Sequence, residues 1–165
     1  MRSGELRARA TRRATRRPLE AALHGVGFEL LLRVEGYEFP QFHSGWDANA
    51  LLCELELEFE LLGRFRASHR PILYTDELER FTEQLKALDR DPSGEATLEH
   101  GAEELGLRIR LTCGKGTLEG FLADHTASRL SFEHIDVDRA FLRRAIDDLQ
   151  PILDAYPVRG ALQID

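Results

Sequence analysis

The stretch from Leu51 to Leu62 restricts this chain more than any other. Leu51, Cys53, Leu55, Leu57, Phe59 and Leu61 alternate there with Leu52, Glu54, Glu56, Glu58 and Glu60. Successive side chains of a strand point to opposite faces, so an extended backbone sorts the apolar residues onto one side and the four glutamates onto the other. Helical winding would scatter the same glutamates around the axis and leave no stripe to bury. The segment is therefore expected to be a strand with one face in a core and the other in water.

The same period of two recurs in Phe28 to Glu35, where Phe28, Leu30, Leu32 and Val34 alternate with Glu29, Leu31 and Arg33. A loop through Gly36, Pro40 and Gly45 separates the two strands, and Gly63 turns the chain into a short partner strand around Phe65. From Thr75 to about Leu88 the spacing predicts a helix. Thr75 suits the N-cap, Asp76 and Glu77 favour the positive helix start, and Leu78, Phe81, Leu85 and Leu88 form its stripe. Asp91-Pro92-Ser93-Gly94 ends it. A short strand over Ala96 to Glu99 and an alternating one over Leu105 to Thr112 follow. A turn at Gly114-Lys115-Gly116 then leads into a hairpin partner near Leu118 to Ala123. Arg129 to Ile135 reads as a further strand. A last helix is expected from near Asp136, carrying Val137, Phe141, Ala145, Leu149, Ile152 and Tyr156 and bent by Pro151. Short connections imply antiparallel pairing, and a sheet with one apolar face needs cover on that face. The expected class is α+β: a curved, mainly antiparallel sheet of about six to seven strands with two helices packed on one face.

Charge is distributed unevenly. Residues 1–19 hold seven arginines against Glu5 alone, a balance of +6, which leaves fifteen basic and twenty-eight acidic residues, or −13, in the rest of a chain whose total is −7. The arginine- and alanine-rich start has no clean apolar stripe. It suits a nucleic-acid-binding arm or a targeting peptide in composition, and the Arg16-Arg17 pair hints at a twin-arginine signal, but no apolar region follows. Residues 1–27 are expected to be a disordered extension and residues 28–165 a single α+β domain, well within the usual domain length of about 100–200 residues. No apolar run approaches the roughly 18 residues of a membrane span. The two cysteines, Cys53 and Cys113, share phase with the apolar sets and carry no CxxC spacing. Reduced, buried thiols in a cytoplasmic protein are expected.

Signals for catalysis are weak. Glutamates two apart on a strand lie roughly 6.6–7 Å from each other, inside the separation of about 6.5–9.5 Å found in inverting glycosidases. A catalytic acid must be desolvated, however, and four carboxylates in a row on a hydrophilic face stay ionised. The row reads either as a plain solvated face neutralised by Arg108 and Arg110 from another strand, or as an acidic docking face. None of the six histidines is spaced as HxxxH or HExxH. Asp124-His125 with His134 and Asp136 could meet across a turn, but isolated loop histidines are the commoner case. His43-Ser44-Gly45 lacks the flanking glycine of a nucleophile elbow. Gly114-Lys115-Gly116-Thr117 lacks the rest of a phosphate loop. No catalytic residue, metal ligand or cofactor is expected. The aromatic stretch before the long strand has two readings. Trp46 could roof the sheet edge while Asp47 and Asn49 bond the turn, or the three could form a recognition patch beside the acidic strand.

Tyr37-Glu38-Phe39-Pro40, Trp46-Asp47-Ala48-Asn49-Ala50-Leu51 and Ile72-Leu73-Tyr74-Thr75 stand in an order and spacing that resembles the WapI-type immunity family of bacterial toxin systems, as does a final helix ending at Tyr156-Pro157. The resemblance covers about residues 28–158. Ala50 stands where the family has tryptophan, and His69-Arg70-Pro71 replaces an aspartate-proline stretch. The resemblance implies a non-enzymatic module that binds a cognate toxin domain, for instance a nuclease whose basic cleft holds phosphates. Trp46, Asp47, Asn49, Glu54, Glu56, Glu58 and Glu60 are the candidate partner-binding residues, with the acidic body steering association. Nucleic acid is expected as a partner only of the arginine-rich tail. A homodimer formed through the sheet is the alternative, and a small hydrolase or ligand binder built on His125, His134, Asp136 or Cys113 is a third.

Overall fold

The computed structural model describes residues 17–60, 63–99, 103–124 and 128–160. The class is α+β, with two antiparallel sheets among the described residues in place of one. The first sheet is built from β1 (Leu19–Gly25), β2 (Phe28–Tyr37), β3 (Ala50–Glu60) and β4 (Arg64–His69) in that order. The two-residue β5 (Leu73–Tyr74) pairs with the start of β3. After α1 (Thr75–Arg90), the meander β6 (Gly94–Glu99), β7 (Leu105–Thr112), β8 (Lys115–Ala123) and β9 (Arg129–Asp138) forms the second sheet, and α2 (Arg139–Ala155) follows.

The long alternating segment is the strand its pattern demands. Leu51, Cys53, Leu55 and Leu57 of β3 are buried, and it pairs with β2 on one side and β4 on the other. Leu61 and Leu62 lie outside the described residues. Strand β1 is a correction, because Leu19–Gly25 was expected to belong to a disordered extension. Ala21 and Leu23 are buried, and the strand joins β2 in register from Leu19↔Val34 to Gly25↔Phe28. Its apolar repeat is only a few residues deep, so it gains meaning from the neighbour it folds back on across Val26-Gly27. The arginine-rich residues 1–16 lie outside the described residues.

Two further boundaries move. Asp136 to Asp138 continue β9, and α2 starts at Arg139 because the Asp138 carboxylate accepts the Phe141 N–H at 2.8 Å. The β7–β8 turn is Cys113-Gly114, both at positive φ (52° and 82°), as a two-residue hairpin matched to strand twist requires. Cys113, expected to be buried, is thereby exposed: β7 ends at Thr112 and takes its alternation with it.

The inner faces of both sheets and the apolar stripes of both helices share one core. Strand β9 passes the first sheet crosswise. Leu130 shares a cleft with Ala67 to His69, Phe132 packs on Phe59 and Phe28 at ring separations of 5.7 and 5.4 Å, and Ile135 approaches Gly25. The helices pack on each other, α2 along β1 and α1 along β6. They were expected on one face of a single sheet. They lie instead beside the outer strand of each sheet and close the core there, because the meander β6–β9 itself supplies the cover that the apolar face of the first sheet needs. No helix among the described residues is long and apolar enough to cross a membrane.

Candidate protein-binding surface

Pairing of β1 to β4 places one row of charge across the outer face of the first sheet. Glu20 faces Arg33, which faces Glu54; His24 faces Glu29, which faces Glu58 and then Arg66; Glu60 faces Arg64. The four glutamates of β3 therefore share one face, as the alternation requires. Their counter-ions are not the expected ones. The Arg33 guanidinium reaches Glu20 at 2.8 Å and Glu56 at 2.9 Å, Arg66 reaches Glu56 at 3.1 Å, and Arg64 binds Glu58. Arg108 and Arg110 belong to the other sheet, where Arg110 holds Glu95 at 3.2 Å and Arg108 holds Glu119 at 3.5 Å and Glu99 at 3.7 Å. The sequence could not assign these partners, because which arginine meets which glutamate depends on strand order.

Glu56 sits at the centre of the face. The Arg33 guanidinium first, and Arg66 after it, hold its carboxyl below the usual carboxylate range, while Arg33 itself is raised by Glu56 and Glu20. That is the reverse of what a general acid needs. Neither Glu54 nor Glu60 forms a salt bridge among the described residues. Glu20, Glu29, Glu54, Glu56, Glu58 and Glu60 outnumber Arg33, Arg64 and Arg66 on this face, so it carries surplus negative charge.

The aromatic stretch before β3 divides. Trp46, 55% exposed, opens a single 3₁₀ turn over Trp46–Asn49 and meets the Tyr74 ring edge-on at 6.2 Å; Asp47 is exposed beside it. Burial, followed by the carboxylates of Asp47, Glu77, Glu38 and Asp76, holds the Tyr74 phenol above its ordinary range. Asn49 is 0% exposed and is out of reach of any partner. Its side chain accepts the Arg159 N–H at 2.6 Å and donates to the Arg159 carbonyl at 3.2 Å, and its own carbonyl accepts from the Thr75 hydroxyl at 3.3 Å. Tyr37 donates its hydroxyl to the Pro157 carbonyl, with the Arg159 guanidinium 3.4 Å above its ring. The same guanidinium donates to the carbonyls of Phe42 at 3.0 Å and Pro40 at 3.3 Å. These residues form a clasp that ties the segment after α2 to the loop between β2 and β3. Of its far half the sequence singled out Pro157 but not Arg159, and a lone arginine 110 positions from its asparagine gives no local signal.

The enzyme-like constellations do not assemble. Burial, with Glu38 and Glu104 nearby, pushes the Cys53 thiol up to about 12, and it donates to the Pro71 carbonyl at 3.3 Å. Asp124 and Asp136 lie at opposite ends of the β8–β9 ladder, His134 projects outward, and His125 lies outside the described residues. Among the described residues no group of three or more His, Cys, Asp or Glu side chains could hold a metal ion.

No curated protein and no solved structure matches the chain. A family model does: the Immunity protein WapI-like family, over residues 23–157. That span runs from β1 through both sheets and α2 to the clasp at Pro157, and it takes in every motif that carries the resemblance. On this match, the chain belongs to the WapI-like immunity protein family.

Proposed function

We propose that this protein protects a bacterial cell by binding a cognate toxin domain, and that it docks through the outer face of the first sheet. It acts by occupying the toxin and not by catalysis. The observation that carries the reading is the surplus of carboxylates on that face, with Glu54 and Glu60 outside every salt bridge among the described residues. A toxin that handles nucleic acid presents a basic cleft. A face of this charge draws such a cleft in, and the sheet then blocks access to the phosphates' site. Exposed Trp46 and Asp47 border the launch of the same strand and supply a rim contact of mixed aromatic and acidic character. The Asn49 side chain is spent on Arg159 and has no direct role.

The test is growth protection by co-expression with the product of the neighbouring reading frame as the toxin, paired with association kinetics at several salt concentrations. Protection is expected, with association that slows as salt rises. Replacing Glu54→Lys together with Glu60→Lys should cut the association rate at low salt by roughly tenfold and flatten its salt dependence. Undiminished, salt-insensitive binding by that double variant would reject this face as the interface. Failure of the unaltered protein to bind or protect would reject the toxin reading itself.

A further inference from the structure

A sheet edge presents unpaired backbone N–H and C=O groups that invite another strand, and proteins usually obstruct such edges. Most edges here are obstructed in ways that can be named. Along β1, the Ala22 N–H is taken by the Asp148 carboxylate of α2 at 3.2 Å. Along β6, the Thr97 N–H is taken by the Gln84 side chain of α1 at 2.7 Å. On the far side of the first sheet, the Ile72 N–H just before β5 is taken by the buried Glu104 carboxylate at 3.1 Å. Strand β9 is bulged: Glu133 and His134 are left over opposite Glu119, with His134 at φ 61°.

Strand β4 has none of these devices among the described residues. It pairs with β3 alone, in unbroken register from Leu55↔His69 to Glu60↔Arg64, and it contains no proline. No described side chain bonds its outward backbone. Phe65 lies in register with Phe59, which is partly buried and packed against the core, yet it is 67% exposed. Beyond Ala67, Ser68 and His69 an open cleft of about 280 Å³ runs to Leu122 and Leu130.

We propose that β4 is a docking edge for an extended segment of a partner protein, about six residues long, which joins the first sheet as an added strand. The side chains of β4 state its chemistry. Arg64 and Arg66 stand on the outer face and remain more than half exposed while bound to Glu58 and Glu56, so they favour carboxylates at alternate positions of the added strand. Phe65 and Ala67 on the other face favour apolar residues in between. A second copy of this chain is a poor occupant, since its own β4 brings Arg64 and Arg66 where carboxylates are favoured. The inference is separable from the toxin reading, because it turns on the outward backbone of β4, whereas the toxin reading turns on the glutamates of β3.

The experiment titrates the full-length protein with two octapeptides, one alternating valine and glutamate, the other valine and lysine, and follows backbone amide exchange residue by residue. The glutamate peptide is expected to slow exchange across Arg64–His69 and leave β1 and β6 unchanged, binding roughly three- to tenfold tighter than the lysine peptide. Arg64→Glu with Arg66→Glu should reverse that order. Because those changes also meet Glu56 and Glu58, Phe65→Thr serves as the milder variant and should weaken the glutamate peptide without lowering Tm. Equal binding of the two peptides, or no slowing in β4, overturns the proposal. So does β4 protection that appears without peptide and rises with protein concentration, since that marks a second copy at the edge.

Discussion

At one end of β3 the chain is fixed by side chains that face inward: Asn49 grips Arg159, Tyr37 reaches Pro157, and Arg159 bonds the carbonyls of Pro40 and Phe42. Along the strand itself, Glu54 to Glu60 face outward and are held by a few guanidinium groups drawn from β2 and β4. These regions are neighbours in sequence and carry different information. The short motifs that resemble the family lie mostly in the clasp, so they report a way of closing the fold. The charged face has no such interlock and is free to suit a particular partner.

The contrast can be tested within one strand. Leu57 is 0% exposed beneath the glutamate row. Leu57→Ala should lower unfolding stability by about 3 kcal/mol through lost burial and the cavity left behind. At this chain length that is a fall in Tm of roughly 6–12 °C, read by thermal or urea denaturation. A loss under about 1 kcal/mol would mean that β3 is not the central buried strand. Next in size, Asn49→Ala should cost about 2 kcal/mol, because it orphans the Arg159 N–H and carbonyl together. It should loosen amide protection around Pro157 to Gly160 and leave toxin association at a temperature well below Tm unchanged. If it abolishes binding while stability is kept, the division between clasp and face fails.

The smallest effect concerns pH. The Glu56 carboxyl is held low in the folded protein, by Arg33 above all, so its ionised form is favoured by folding. Its stabilising contribution is present above the unfolded carboxylate value of about 4.3 and fades as pH falls through the lower folded value. Glu56→Gln should therefore lower stability slightly at neutral pH, flatten the acid limb of the stability profile, and bring the two proteins together at the acid end. Parallel acid limbs for the two proteins would show that the Arg33–Glu56 pair is as dispensable as most exposed ion pairs.

What the sequence determined alone was everything set by period and by turn chemistry: the strand character of β2, β3 and β7, the α1 stripe, the α+β class, and the sorting of four glutamates onto one face. Those features follow from the alternation of side chains along a single segment, which needs no knowledge of neighbours. Tertiary structure alone decided the rest. It made a strand of Leu19–Gly25, split one expected sheet into two, chose Arg33, Arg64 and Arg66 as the partners of the glutamates, buried Asn49 against a residue near the far end of the chain, and left β4 without cover among the described residues. Each of these depends on which segments lie side by side, and pairings between distant residues leave no mark in the local pattern of either one.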